Sequence, residues 1–199
     1  VQIVLGAFRA TTFEELFQGV LALPLEQFIG PKDAFPVKGW SLNSRLHSVP
    51  DCQSIIKKAA VNRLSQVYGI HWFQETGPVH QLQFSIIKDK VSILLDTSGA
   101  GLHKRGYRPS ATAAPIKETL AAGMLDLVRI YPDTQFFDPF CGSGTILIEA
   151  ALKALNIAPG LKRTFACEKW DVMPQQAFRR ARQEALDVIR RDAPFHGIG

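Results

Sequence analysis

Residues 134–151 read TQFFDPFCGSGTILIEAA. A short apolar strand ends at Asp138, the chain turns through Gly142-Ser143-Gly144, and a helix follows. Open α/β sheets build nucleotide pockets in this way, because glycines let backbone N–H groups approach a ligand and the helix N-terminus faces polar or anionic atoms. No Lys-Ser or Lys-Thr pair follows the second glycine, so this stretch is not a P-loop for a triphosphate.

A single acid directly before Gly-x-Gly resembles motif I of class I S-adenosylmethionine-dependent methyltransferases. The longer string DPFCGSGT, followed by ILIEAA, is similar to the version found in methyltransferases that carry an RNA-binding THUMP domain. This is the family of the large-subunit rRNA guanine-N2 methyltransferases, which are often labelled N6-adenine DNA methylases. The resemblance covers most of the chain, since four further segments share it: ATTFEELF (10–17), SVPDCQSIIKKAAVNRL (48–64), LDTSGAGLHKRGYR (95–108) and APIKETLAAGML (114–125).

The composition fits a globular protein with an anionic partner. The chain has 199 residues, 46% of them hydrophobic, and a net charge of +5, which is compatible with nucleic acid binding. It has no stretch of about 18 apolar residues and no secretory leader, so we expect no membrane association and a cytoplasmic protein. The three cysteines, Cys52, Cys141 and Cys167, are too widely spaced for a disulfide framework or a zinc site, and we expect no bound metal.

The sequence predicts an α/β protein with two domains. Residues 1–97 form a small α/β unit, which the resemblance identifies as a THUMP-like RNA-binding domain, although its pattern suits many small α/β folds. Residues 98–114 form a basic connector, and residues 115–199 form the first part of a Rossmann-like class I methyltransferase domain. The patterns predict strands over 1–8, 35–42, 79–88 and 91–96, and helices over 12–22, 52–68, 116–128 and 174–192.

The resemblance implies S-adenosylmethionine as the cofactor, with the glycine loop closing around its methionine end. Asp138 stands at the end of the first strand of the predicted methyltransferase domain. It would accept a hydrogen bond from the cofactor's ammonium group, whereas a structural acid would cap the next turn. The other predicted cofactor-binding residues are Pro139, Cys141, Gly142, Ser143, Gly144 and Thr145. Lys117, Glu118 and Thr119 complete the set, or serve as surface and capping residues. We interpret Cys141 as a small loop residue and not as a nucleophile.

Two groups of residues are candidates for RNA binding. Lys57, Lys58 and Arg63 lie away from the apolar stripe of the 52–68 helix, and on charge alone they form an ordinary solvated face. The connector contributes Lys104, Arg105, Tyr107 and Arg108, since guanidinium groups bind phosphates and an aromatic face stacks on any base. The alternative is that Tyr107 packs at the domain junction while Arg105 and Arg108 are solvated.

The resemblance implies methylation of the N2 amine of a guanine in large-subunit rRNA. The family's catalytic Asn/Asp-Pro-Pro-Tyr/Phe motif does not occur in these 199 residues. Asp138-Pro139-Phe140 cannot replace it, because this tripeptide stands at the first strand of the methyltransferase domain, whereas the family's motif closes the fourth strand. We assign no catalytic residue, and we reject Glu168 as the acid that holds the ribose. We interpret the chain as a fragment, and we expect it alone to bind the cofactor weakly and to transfer no methyl group. The alternatives are an RNA-binding module without catalysis and an N6-adenine DNA methyltransferase.

Overall fold

The computed structural model describes residues 1–107 and 116–199, and these form two compact units. Unit 1 comprises Val1–Gly99 and Phe165–Met173, and unit 2 comprises Ala100–Thr164 and Pro174–Gly199. The chain therefore passes between the two units three times. The segment Phe165–Met173, which the sequence placed in the methyltransferase domain, belongs to unit 1.

Unit 1 contains a four-stranded sheet. Its strands are β1 (Gln2–Arg9), β2 (Val37–Leu42), β3 (Leu82–Ile87) and β4 (Lys90–Asp96), in the spatial order β1-β4-β3-β2. The pair β2–β3 is parallel, and the other two pairs are antiparallel. Lys88 and Asp89 connect β3 to β4 with φ values of 50° and 64°. Positive φ at both central residues is typical of a two-residue hairpin.

Two helices, α1 (Phe13–Leu21) and α2 (Val49–Tyr68), cover the sheet. Thr12 begins α1: its side chain accepts a hydrogen bond from the Glu15 N–H, and the Glu15 carboxylate accepts one from the Thr12 N–H. This capping box confirms the predicted start of the helix. The helix α2 begins three residues earlier than predicted, because Pro50 fits the first turn of a helix.

The core of unit 1 lies between these helices and the sheet. Leu16 and Val20 of α1 and Ile56 of α2 are fully buried. The strands contribute alternate residues to the same core, because successive side chains of a strand point to opposite faces of the sheet. On β3 the buried residues are Leu82, Phe84 and Ile86.

A second buried cluster of unit 1 contains His80 and Trp170. The two rings stack with a centroid separation of 4.4 Å and an interplanar angle of 21°. The His80 Nδ1 atom lies 3.2 Å from the Pro78 carbonyl oxygen and 3.4 Å from Asp33 Oδ2. Burial lowers the pKa of His80 below its usual value of 6.5, although the carboxylates of Asp33 and Asp171 oppose this shift.

We expect the free energy of unfolding to decrease as the pH falls below 6.5, the ordinary pKa of histidine. In this range an unfolded His80 binds a proton that the folded unit excludes, so acid favours unfolding, with a limiting slope of about 1.4 kcal/mol per pH unit. Urea titrations at several pH values measure this slope. His80→Gln should reduce the slope, whereas His71→Gln, a change at an exposed histidine, should leave it unchanged. Equal slopes for His80→Gln and the wild type would contradict the prediction.

The described residues of unit 2 form two short parallel strands, β5 (Gln135–Phe137) and β6 (His196–Ile198), and three α-helices. The helices are α3 (Glu118–Asp126), α4 (Thr145–Ala154) and α5 (Gln175–Asp187). The helix α3 packs along α4. The helix α5 ends five residues before the predicted end, because the following chain turns back and the Arg190 N–H bonds to the Leu155 carbonyl at 2.9 Å. Within the described ranges, no helix is long and apolar enough to cross a membrane.

Candidate functional site

Asp138 lies at the carboxyl end of β5. Its N–H donates to the Ile198 carbonyl at 2.8 Å, which extends the pairing of β5 with β6 by one bond. Its Oδ1 atom accepts a hydrogen bond from the Phe140 N–H at 3.1 Å and so stabilises the turn that leaves the strand. This contact is the one expected of a structural acid, and the hydrogen bond from Asp138 to the cofactor's ammonium group stays a prediction. The carboxylate lies at the edge of the parallel pair where open α/β sheets bind their ligands.

The glycines of the loop have backbone conformations that other residues adopt only with strain. Gly142 has φ = 52° and Gly144 has φ = 69°, both in the left-handed region. The Gly144 N–H donates to the Cys141 carbonyl at 2.8 Å and closes the turn. A Cβ atom on Gly144 would have no heavy atom of the described residues within 4 Å. The backbone conformation therefore favours glycine, and the space in front of this loop residue is open to a ligand.

The loop leads directly into α4, which begins at Thr145. The Thr145 side chain is buried, and its Oγ1 atom lies 3.1 Å from Ser143 Oγ. The first N–H groups of a helix have no intrahelical partner and carry partial positive charge. The Asp138 carboxylate thus precedes the loop, and the N–H groups at the start of α4 follow it. A ligand that carries both an ammonium group and a carboxylate, as an amino acid does, matches this arrangement.

The remaining predicted cofactor residues flank this loop or lie on α3. Pro139 is exposed and Cys141 is half-buried. Lys117 immediately precedes α3, and Glu118 and Thr119 form its first turn. Since α3 packs along α4, the structure places all of them in the same unit as the loop, and their contact with a ligand stays a prediction.

Two of the connector residues predicted to bind RNA contact a buried carboxylate. Glu149, on α4, is only 4% exposed. Arg105 donates two hydrogen bonds to it, at 3.2 and 3.1 Å, and the Tyr107 hydroxyl donates a third at 2.8 Å. We call Arg105, Tyr107 and Glu149 the connector clamp. This arrangement favours a structural role for Arg105 and Tyr107. The sequence reasoning missed Glu149, although a charged residue inside the apolar run ILIEAA signals a buried partner.

Further guanidinium groups hold the start of the connector within unit 2. Arg163 is 9% exposed and donates to the carbonyls of Ala100, at 2.6 Å, and Gly101, at 3.0 Å. Arg182, on α5, donates in turn to the Arg163 carbonyl at 2.8 Å. Buried arginines often stabilise loop carbonyls in this way, because the guanidinium group presents five donors in one plane. The connector residues from Ala100 to Lys104 are therefore held by hydrogen bonds within unit 2.

The cationic candidates on α2 differ in their surroundings. Lys57 Nζ lies 2.5 Å from Glu75 Oε1 and also donates to the Phe35 carbonyl at 3.1 Å. Lys58 is exposed. Lys57 therefore forms an ion pair with a carboxylate of its own unit, whereas Lys58 is accessible from solvent.

Arg63 also has a partner inside unit 1. Its guanidinium group donates two hydrogen bonds to the Glu26 carboxylate and holds the pKa of Glu26 below its usual range. On the connector, Lys104 is exposed, and Arg108 lies outside the described residues. Among the described candidates, then, Lys58 and Lys104 are the exposed cations.

A cavity of about 510 Å³ lies beside α4 in unit 2. Apolar side chains such as Ile148, Leu152 and Leu186 line it, with Lys162 and Arg191 also on its wall. The residues that line the cavity include none of the loop from Asp138 to Thr145. The cavity is therefore separate from the strand–loop–helix site, and its volume alone does not identify it as an active site.

Family models match both parts of the chain. Residues 10–96 match the model described as a THUMP domain. Residues 105–198 match the model described as an RMKL-like methyltransferase domain. The second match contains the loop, α4 and the connector clamp.

Two curated relatives are similar over nearly the whole chain. "Putative RNA methyltransferase YpsC" of Bacillus subtilis is 46% identical over 98% of this chain and 51% of its own length. "Ribosomal RNA large subunit methyltransferase K/L" of Psychromonas ingrahamii is 35% identical over 96% of this chain and 26% of its own length. The chain thus spans about half the length of the first relative and a quarter of the second.

Two solved structures have the same fold. A Listeria monocytogenes protein described as a "predicted N6-adenine-specific DNA methylase" is 54% identical, with a TM-score of 0.95 over 100% of this chain and 52% of its own. SMU.472, described as "a putative methyltransferase complexed with SAH", is 43% identical, with a TM-score of 0.91 over 98% of this chain and 53% of its own. Residues 10–96 therefore belong to the THUMP domain family, and residues 105–198 belong to the family of RMKL-like methyltransferase domains.

Proposed function

We propose that the protein transfers a methyl group from S-adenosylmethionine to RNA, at the N2 amine of a guanine in large-subunit rRNA. The observation that carries the proposal is the loop from Asp138 to Thr145, whose carboxylate and helix N-terminus suit the amino-acid end of this cofactor. The SAH bound in SMU.472 supports the cofactor, and the name of the Psychromonas ingrahamii relative supports the substrate.

The residues of this chain would hold the methionine end of the cofactor. The Asp138 carboxylate accepts a hydrogen bond from the ammonium group, and N–H groups at the start of α4 face the cofactor's carboxylate. Pro139, Cys141 and Ser143 shape the loop between them, and Lys117, Glu118 and Thr119 at the start of α3 would complete the site. The cofactor would supply a methyl group bonded to a sulfonium sulfur. An amine nitrogen of the substrate can attack the carbon of this methyl group in line once the amine and the methyl group are positioned.

RNA would first contact exposed cations that form no ion pair with a carboxylate among the described residues. Lys58 on α2 and Lys104 on the connector are exposed, and α5 adds the exposed Arg179. Lys57, Arg63 and Arg105 are bound to Glu75, Glu26 and Glu149, so contact with a phosphate would compete with these ion pairs. We therefore propose Lys58 and Lys104 as the primary phosphate contacts, while Arg108 stays a prediction from the sequence.

A second candidate function is methylation of the N6 amine of adenine in DNA. The description of the Listeria monocytogenes structure favours it. The THUMP match over residues 10–96 favours RNA, because the family's THUMP unit captures RNA. An RNA-binding role without catalysis is the third possibility, and it makes the same prediction for RNA binding but not for methyl transfer.

Methyl transfer to purified substrates separates these functions. We expect the full-length protein, supplied with S-adenosylmethionine labelled in the methyl group, to label deproteinised large-subunit rRNA and not duplex DNA. Digestion to nucleosides should place the label in N2-methylguanosine. Label in DNA alone would favour the second function, and RNA binding without label would favour the third. Label in another nucleoside would contradict the guanine assignment but not the methyltransferase activity.

A further inference from the structure

The THUMP-like unit contains a segment that comes from the methyltransferase region of the sequence. We call this segment, Phe165–Met173, the strap. It lies inside the match to the methyltransferase domain, which covers residues 105–198, and yet it belongs to unit 1. The residues on either side of it, Thr164 and Pro174, both belong to unit 2. The strap is therefore attached to the methyltransferase region at both ends.

The backbone of the strap is hydrogen-bonded to the chain that follows β4. The Cys167 N–H donates to the Thr97 carbonyl at 3.1 Å, and the Ala166 N–H donates to the Ser98 carbonyl at 3.4 Å. A Cβ atom on Gly99 would lie 3.1 Å from the Ala166 Cβ, so the two segments approach closely at this glycine. The strap thus runs against a part of unit 1 that lies about 70 residues earlier in the sequence.

Trp170 anchors the strap in unit 1. Its side chain is fully buried and stacks on the buried His80 ring. Its indole N–H donates to the Val79 carbonyl at 3.0 Å, which satisfies the one polar group of the ring. An aromatic side chain buried with its polar atom paired is the usual centre of a specific protein interface.

The strap is also ordered by its own contacts. The Glu168 carboxylate accepts a hydrogen bond from the Phe165 N–H at 2.9 Å, across a short 3-10 helix over Ala166–Lys169. The Cys167 side chain is 6% exposed, and burial raises the pKa of its thiol. A buried thiol that is protonated at neutral pH reacts slowly with alkylating reagents, so Cys167 reports whether the strap is in place.

We propose that the strap is a docking segment that completes the THUMP-like unit, with Trp170 as its anchor. Because the residues on both sides of the strap belong to unit 2, the THUMP-like unit depends for its stability on a segment of the methyltransferase region. This docking does not depend on the proposed function, and the accessibility of cysteine side chains tests it.

Alkylation of cysteines, followed residue by residue with mass spectrometry in the full-length protein, tests the docking. We expect Trp170→Ala to increase the labelling rate of Cys167 by at least about tenfold. Cys52 lies in the core of unit 1 and should keep its slow rate. Trp170→Phe retains the stacking but not the N–H donor and should give an intermediate rate at Cys167. Equal rates at Cys167 and Cys52 in Trp170→Ala, whether both slow or both fast, would overturn the docking proposal.

The matched control is Trp72→Ala, which removes an exposed tryptophan from the same unit. It should change neither labelling rate. If the wild-type protein does not bind S-adenosylmethionine, the proposed function fails while the labelling still decides the docking.

Discussion

Replacing Asp138 with asparagine in the full-length protein is expected to weaken the binding of S-adenosylmethionine by about tenfold or more. The carboxylate provides a charge-assisted hydrogen bond to an ammonium group, and such bonds contribute about 1.5–3 kcal/mol. Asparagine retains the Oδ1 acceptor that bonds to the Phe140 N–H, so the turn after β5 should keep its shape. Isothermal titration calorimetry measures the change in affinity.

Two comparisons make this result specific to the ligand. Asp133→Asn, a change at an exposed acid of the same unit, should leave the affinity unchanged. Asp138→Ala also removes the acceptor of the turn, so it should lower the melting temperature as well as the affinity. Wild-type affinity in Asp138→Asn would mean that the carboxylate stabilises only the turn and does not contact the cofactor.

Replacing Glu149 with alanine is expected to cost about 3–5 kcal/mol of the free energy of unfolding, because the change leaves a buried guanidinium group without its counter-ion. Arg105 donates two hydrogen bonds to this carboxylate and Tyr107 donates one, and Glu149 is only 4% exposed. Chemical denaturation of the wild-type and variant proteins measures the loss. A loss of less than about 1 kcal/mol would show that the connector clamp does not stabilise the fold.

The buried clamp can be separated from an exposed ion pair on the same helix. Lys153 pairs with Asp126 at 2.7 Å, but the Asp126 side chain is 73% exposed, so Asp126→Ala should cost no more than about 1 kcal/mol. A triple variant that makes the clamp apolar, with Arg105→Met, Tyr107→Phe and Glu149→Leu, should recover at least about 2 kcal/mol relative to Glu149→Ala. No recovery would mean that the loss comes from packing and not from the unpaired charge.

Features that depend on neighbouring residues could be predicted from the sequence. The Asp138–Thr145 site is one strand, one turn and one helix start in succession, and the two glycines supply the left-handed conformations that the turn requires. The capping box of α1 and the hairpin after β3 are equally local. In each case the residues that specify the structure stand within a few positions of one another, so their pattern carries the information.

The partners of buried charges could not be predicted, because no spacing rule connects residues far apart in the chain. Glu149 and Arg105 are 44 positions apart, and Arg63 and Glu26 are 37 positions apart. From the sequence, Arg63, Arg105 and Tyr107 are therefore candidates for RNA binding, with a solvated or packed role as the alternative. The structure pairs each of them with a carboxylate of its own unit. Burial makes such pairing necessary, and only the packing of the units determines which residues become buried.

The sequence by itself determined the α/β class, the glycine loop and the amphipathic helices, since backbone conformation and periodicity are properties of short segments. The tertiary structure alone decided which cations are exposed and which segment completes the THUMP-like unit. Trp170 lies 91 positions from Val79, and its indole is bound there because core packing supplies the free energy that ordering so long a loop requires.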